Sequence, residues 1–322
     1  MNKFCLLYCN KNQYEMFEEF AFKYAPVDFS EVDILVFDDN SVPEQKSILT
    51  ALCKKYNNIK WINPLVERDS IAPVITSIKA CSNYIDDNNL TYDWLLFFEN
   101  DCIPFQHDFW HKLSEFISSN NSWLYNKVGL LGFNSYQYYE KGKIKTAGNP
   151  VPGRGCLVNN ILNPPYSGWY KDLPEDYYSI DHFVVEVPNW QSMAINKTLF
   201  DKFIQIDKRY DNRLLNGDDI AHQFMLYNIF NICIPGLAVC HDGDNKLKNK
   251  INIMKSSSYS RSENSHNIFE DRWGWKWGKR NLNLRAQFNN ALENSDFYKN
   301  TIQEKLFKLS VEDGPKRVHD FE

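Results

Sequence analysis

The strongest constraint on the fold is the exchange of short apolar runs with amphipathic stretches over residues 3–98. Residues 3–9 (KFCLLYC) read as a buried strand, and 14–24 (YEMFEEFAFKY) carry apolar positions at helical spacing. Residues 32–37 (VDILVF) read as a second strand that breaks into Asp38, Asp39, Asn40 and Ser41. A helix is expected at 44–56, a short strand at 59–62 and a helix at 71–85 beginning near Pro73, since proline is tolerated in a first helical turn. A further strand at 93–98 runs out into Glu99, Asn100 and Asp101. This alternation signals an α/β domain, and parallel strands need crossovers of this length. A mostly parallel central sheet is therefore expected. Ligands of open α/β sheets bind outside the carboxyl ends of the strands, so two polar clusters at two such ends point to a shared crevice. The plain alternative is that both clusters only form turns.

The rest of the chain changes character. Residues 128–133 (VGLLGF) and 182–187 (HFVVEV) read as strands, and 136–147 as a hairpin turning at Lys141-Gly142. Residues 148–178 are rich in Gly, Pro, Asn and Tyr, a long loop of the kind that is uncommon without a function. The flat faces of its Tyr and Trp side chains suit sugar rings, although an ordinary packed loop would use them too. The segment around 190–195 (WQSMAI) leads into a helix from about 198. At 216–219, NGDD opens another helix, where Asp218 or Asp219 can cap unpaired backbone N–H groups while its neighbour does chemistry. A strand at 232–240 then leads into His241, and 282–308 read as mostly helical.

The 322 residues are 43% hydrophobic, enough to bury a sizeable core in one elaborated domain or a domain with an extension. The net charge of -5 gives no support to nucleic acid as a partner. Charge is uneven, however: residues 245–285 hold ten Lys and Arg against three Asp and Glu. That stretch can face phosphates or an anionic membrane surface, or be a solvated tail. The eight cysteines sit singly with no CxxC pair, which argues against a zinc ribbon or a thioredoxin-type site. No run approaches the roughly 18 apolar residues of a membrane span, and the N-terminus lacks secretion-signal character. A cytoplasmic location is expected, with a peripheral contact on the inner face of the membrane open through 245–285. His107, His111, His182, His222 and His266 show no metal-ligand spacing and are expected as surface or helix residues.

In the order of these segments the chain resembles the GT-A-fold glycosyltransferases over about residues 3–243. It is most similar to the bacterial group, like glycosyltransferase family 2, that builds capsule, lipopolysaccharide and related glycans. The resemblance implies a Rossmann-like nucleotide-diphospho-sugar transferase with a mostly parallel central sheet. It implies a catalytic domain at 1–245, with a nucleotide-sugar half at 1–101 and an acceptor half at 102–245, and a helical, basic extension at 246–322. VDILVFDDNS resembles the family's first nucleotide-binding segment, which gives Asp38 and Asp39 donor contacts, Asp39 being the closer match. Glu99-Asn100-Asp101 stands where the family has its metal-binding DxD motif; Asp101 matches the last acid and Glu99 replaces the first. WQSMAI, LFDKF, IDKRYD and NGDD resemble the acceptor-side segment. This implies a catalytic base at Asp218 or Asp219, an acceptor contact for Asp218, and Trp190 closing the acceptor pocket. His241 in VCHDG matches a histidine that supports the metal or the diphosphate. The pattern departs from the family at Glu99, one methylene longer than Asp, and in the missing glycines before the acceptor-side acids.

The chemistry of such a transfer suits these residue types. A nucleotide-sugar donor, a UDP-sugar foremost, leaves as a diphosphate whose developing charge must be neutralised. Mg²⁺ or Mn²⁺ does this with oxygen ligands, and Asp101 with Glu99 can supply them; a ligating His241 favours Mn²⁺. Arg154 and the basic stretch can meet phosphate. A glycan or glycolipid acceptor hydroxyl needs a base within about 3 Å. Other classes share some of these features. A nucleotidyl or phosphoryl transferase would also use an acidic metal site, but 8–13 (YCNKNQ) has no Gly-rich phosphate loop. A non-catalytic carbohydrate-binding protein would use the aromatic loop alone, with no need for Asp101, Asp219 and His241 to converge. An interaction protein with a decayed site is a third class, suggested by Glu99.

Overall fold

The computed structural model describes residues 3–19, 21–22, 25–64, 74–99, 102–104, 106–137, 156–158, 168–170, 181–188, 192–210, 216–241, 262–276 and 281–295. The chain begins β1 (Phe4–Asn10), α1 (Tyr14–Glu19), β2 (Ile34–Asp38), α2 (Pro43–Lys55), β3 (Ile59–Trp61), α3 (Val74–Asp87) and β4 (Trp94–Phe98). Every residue of β1, β2 and β4 is buried. The pleat sends alternate side chains to opposite faces. Phe4, Leu6, Tyr8, Ile34, Val36, Leu96 and Phe98 join one apolar cluster, whereas Cys5, Leu7, Cys9, Leu35, Phe37, Leu95 and Phe97 join the other. Burial on both faces explains why these strands are continuous apolar runs rather than alternating ones.

The second part adds β5 (Cys102–Pro104), α4 (Phe109–Ser119), α5 (Asn121–Lys127), β6 (Val128–Gln137), β7 (Cys156–Val158), β8 (Gly168–Tyr170), β9 (Phe183–Val185) and β10 (Ser192–Asn196). It ends with α6 (Lys197–Phe203), α7 (Asn216–Leu226), β11 (Phe230–His241), α8 (Ser262–Trp273) and α9 (Leu282–Glu293). One sheet has the order β3-β2-β1-β4-β10-β6-β11-β5, with β7 joined to β6 and to β8, and β9 joined to β11. Helices α1, α2, α4 and α9 cover one face, and α3, α6 and most of the apolar stripe of α7 cover the other.

The sheet is not the mostly parallel, Rossmann-like one that the sequence predicts. The pairs β2/β3, β1/β2, β1/β4 and β6/β11 are parallel. By contrast β4/β10, β10/β6, β11/β5, β11/β9, β6/β7 and β7/β8 are antiparallel. The sheet is partly antiparallel and curls into a half-barrel. Strand–helix alternation produces parallel pairs only where a helix carries the chain back to the starting edge, as it does before β2, β3 and β4. β10 instead enters from the far edge and lies directly against β4. A bulge adds curvature: the β6/β11 register jumps between Ile234 and Ala238. Gln106 pins that bulge, donating from Nε2 to the Gly236 carbonyl at 2.7 Å and accepting from the Ala238 N–H at 3.0 Å. The 148–178 stretch, expected as a loop, contributes the short strands β7 and β8.

Candidate active site

β10 runs antiparallel to both β4 and β6, so β4, β6 and β11 point the same way as β1, β2 and β3. Their C-terminal ends form one edge of the sheet. Asn10 of β1 stands in register with Asp38 of β2, and Tyr8 with Phe98 of β4, so Glu99 leaves the sheet at that edge. Ser192, the first residue of β10, pairs with Phe98 and lies there too. His241 ends β11 at the same side, in register with Cys102 of β5, the residue that follows Asp101 in the chain. The Cys102 N–H donates to the Glu99 carbonyl at 2.9 Å, tying the exit of β4 to the start of β5.

The ends of β1 and β2 form a dense polar cluster. Asp38 and Asp39 are buried. Asp38 Oδ1 accepts from the Tyr14 hydroxyl at 2.6 Å and Oδ2 from the Ser41 N–H at 3.1 Å. The Asn63 side chain brackets the Asp38 backbone, accepting from its N–H and donating to its carbonyl, both at 2.8 Å. Burial, and then the Asp38 charge, push the Tyr14 phenol far above its ordinary pKa, so it stays a donor. Asn12 and Asn40 turn the chain here at φ of 54° and 56°, a left-handed conformation that asparagine tolerates better than most residues. The turn fixes Asn12, whose N–H donates to Ser41 Oγ at 2.9 Å and whose Oδ1 accepts from the Val42 N–H at 2.8 Å.

The second acidic group sits in the first turn of α7. This helix feeds β11 through a short turn in which Asn228 has φ of 56° and the Ile229 N–H donates to the Phe224 carbonyl at 3.0 Å. A helix that turns directly into a strand lies antiparallel to it, so Asp218 and Asp219 stand toward the C-terminal end of β11. Close packing holds α7 down: a Cβ on Gly129 of β6 would stand 2.4 Å from Phe224 Cδ2.

Asp219 is completely buried. Its Oδ1 accepts from Trp273 Nε1 at 2.9 Å and its Oδ2 from Gln223 Nε2 at 2.8 Å, while the Arg272 guanidinium forms an ion pair with Oδ1, its Nε 3.1 Å away. Burial raises its pKa to about 6, with Arg272, Trp273 and Gln223 opposing the rise. A carboxylate has about four acceptor sites, so these two hydrogen bonds leave about two. Behind Asp218 lies a buried ionic chain. The Asp218 carbonyl meets His222 Nδ1 at 2.6 Å, and His222 Nε2 meets Glu186 Oε1 at 3.3 Å. Glu186 Oε2 then accepts from Arg285 Nε at 2.8 Å and also from Arg285 Nη2. Burial would raise the Glu186 pKa, but His222 and Arg285 outweigh it and hold it below the usual range. Burial would lower His222, and Glu186 reverses this, leaving it raised.

Asp38, Asp39, Glu99, Asp218 and Asp219 thus stand at one edge of the sheet. Asp101, Arg154, Trp190 and the His241 side chain lie outside the described residues. Among the described residues no group of three His, Cys, Asp or Glu side chains gathers to hold a metal ion. His182 and His222, expected as surface or helix residues, are both buried, His222 within α7. Sequence reasoning missed Glu186, His222, Arg272, Trp273 and Arg285. Arg272 and Arg285, which it counted within the basic stretch, meet internal carboxylates. No helix among the described residues is long and apolar enough to cross a membrane.

No protein-family model and no curated protein matches the chain. Solved structures do. A crystal structure of GalNAc-T7 with UDP, GalNAc and Mn²⁺ matches with a TM-score of 0.52 at 13% identity, covering 94% of this chain and 58% of that one. The fold is related to that of known nucleotide-sugar glycosyltransferases. Crystal structures of S. aureus TarS also match at 13% identity. The first covers 90% of this chain and 48% of that one, with a TM-score of 0.44. A shorter TarS chain in complex with UDP-GlcNAc covers 90% and 79%, with a TM-score of 0.43. The chain therefore spans 48% and 58% of the first two structures it matches.

Proposed function

We propose that this chain is a metal-dependent glycosyltransferase. It moves a sugar from a nucleotide-sugar donor, a UDP-sugar foremost, to a hydroxyl of a glycan or glycolipid acceptor, as in bacterial surface-polysaccharide synthesis by family 2-like enzymes. The main support is the meeting, at one sheet edge, of the polar exits of β1, β2 and β4 with the acidic first turn of α7. The fold likeness to GalNAc-T7, whose structure carries UDP, GalNAc and Mn²⁺, agrees with it.

In this proposal residues 1–101 hold the donor, with Asp38 and Asp39 on the nucleoside and Arg154 on the diphosphate. Residues 102–245 hold the acceptor, with Trp190 and Asp218 against it, and 246–322 form an extension. Asp101, Glu99 and His241 are the ligands for Mn²⁺ or Mg²⁺, and two carboxylates with an imidazole suit Mn²⁺ by donor type. A bound cation would supply positive charge to the departing diphosphate. Asp219 takes the proton of the acceptor hydroxyl as that oxygen attacks the anomeric carbon. A base with a pKa of about 6 is ionised at neutral pH and still basic enough to accept.

A turnover screen with UDP-, GDP-, CMP- and dTDP-sugars, with and without Mn²⁺ or Mg²⁺, tests the proposal. One donor is expected to turn over only with metal, and Asp101→Ala to abolish it. A folded protein that binds none of these donors contradicts the proposal.

A further inference from the structure

We infer that Arg272 and Trp273, at the end of α8, are positioning residues that clamp Asp219 in the orientation of a general base. The clamp rests on the proposed transferase reading for its purpose, but its geometry stands by itself. Two independent partners converge on Asp219 Oδ1: Trp273 Nε1 donates to it at 2.9 Å, and the Arg272 guanidinium pairs with it by charge, Nε lying 3.1 Å away. Gln223 Nε2 holds Oδ2 from within α7 at 2.8 Å.

These partners are themselves held. Arg272 donates from Nη2 to the Gln205 carbonyl at 3.0 Å, and its Nη1 lies 3.5 Å from Asp207 Oδ2. Gln223 accepts from the Gln205 N–H at 2.7 Å and donates to the Gln205 carbonyl at 3.2 Å. One short segment thus anchors both sides of the clamp. The Trp273 ring is fixed among His222, Phe269 and Trp275, with centroids 5.5, 6.2 and 5.3 Å away. A carboxylate held by two fixed hydrogen bonds and an ion pair cannot rotate freely, so its remaining acceptor sites keep their direction. Catalytic groups work when their own rotamers are locked in this way by surrounding hydrogen bonds.

Besides Trp273 and Gln223, five charged or titratable groups act on Asp219 or share its surroundings. Arg272 and His222 lower its pKa by charge. Asp218 precedes it in α7, and Tyr210 senses the charges of Asp219, Arg272, Asp207 and Asp218. Asp207 shares Arg272 with it. Removing Arg272 takes away the largest influence that favours the ionised form, so the carboxyl should titrate higher. Removing only the Trp273 donor should act in the same direction and more weakly.

The test is the titration of Asp219, followed by carboxyl ¹³C NMR in the full chain and assigned by its loss in Asp219→Asn. Arg272→Met is expected to move the midpoint up from about 6 by about one pH unit, the low end of the effect of an adjacent opposite charge. Arg272→Lys should restore part of it. Trp273→Phe keeps the ring packing and removes the N–H, and should give a smaller rise. In turnover, the acid limb of the pH profile should move with the titration, with kcat falling about tenfold or more and the donor KM nearly unchanged. An Asp219 titration unmoved in both Arg272→Met and Trp273→Phe overturns the clamp, whatever the activity. A shifted titration in a protein that turns over no donor supports the clamp and defeats the transferase reading.

Discussion

Asp219, the proposed base, is held at a cost to stability. Its pKa of about 6 lies above the ordinary 3.8 because burial penalises the charge more than Arg272, Trp273 and Gln223 favour it. As pH falls, the folded chain therefore takes up this proton before the unfolded chain does. The stability linked to the group is full below about pH 3.8 and is lost as pH rises through 6. The loss is on the order of 3 kcal/mol at most, at about 1.4 kcal/mol per pH unit. Asp219→Asn cannot titrate, so its unfolding free energy should vary less between pH 4 and 6 than that of the wild type. Equal pH dependence in urea titrations of the two would contradict the burial argument. At the other acidic cluster, Tyr14→Phe removes the 2.6 Å hydrogen bond to Asp38 Oδ1. It should cost about 1–3 kcal/mol in chemical denaturation and raise the donor KM, since the freed carboxylate can turn. The placement of Asp38 and Asp39 at a strand exit, and of Asp218 and Asp219 at a helix start, is legible in the sequence because such acids carry a local signal. Their buried partners are not, because those contacts are distant in sequence. Trp273 is 54 residues from Asp219, Glu186 is 36 from His222, and Arg285 is 99 from Glu186.

At the scale of elements, α7 carries both acids of the proposed acceptor side and is held from two sides. On the sheet side, Gly129 lets Phe224 approach so closely that an added methyl group would overlap the ring. Gly129→Ala should destabilise the chain by about 1–3 kcal/mol, as overpacking does. It should also depress turnover in the fraction that remains folded, since the ring moves only with its helix. On the outer side, Glu186 links His222 of α7 to Arg285 of α9, all three buried. Arg285→Met leaves the carboxylate without its cation and should cost about 3–5 kcal/mol in urea unfolding, and Glu186→Gln in the same chain should recover part of that loss. A loss below 1 kcal/mol in the single variant would mean that the ion pair does not hold α9 in place. The helices and strands of the first part are read well from sequence because each is a long apolar or amphipathic run. α3, expected at 71–85, is described over Val74–Asp87, and α2, expected at 44–56, over Pro43–Lys55. β5, β7 and β8 are three residues each and lie in Gly- and Pro-rich or polar segments, without the apolar flanks that mark β3 and β9.

The whole molecule differs from its sequence reading in how the strands are joined. The parallel run β3-β2-β1-β4 follows from strand–helix alternation. The pairing of β10 between β4 and β6 depends on which edge the chain enters from, and apolar periodicity carries no information about that. The resulting half-barrel still leaves the ends of six co-directed strands on one side. In the proposed function this single edge binds the donor and presents the base. Hydrogen–deuterium exchange with a UDP-sugar and Mn²⁺ tests it most directly. Protection is predicted together in peptides covering residues 10–13, 38–42, 99–104 and 216–220, and nowhere on the opposite edge. Binding that protects only the opposite edge, or that leaves 38–42 and 216–220 unchanged, would contradict it.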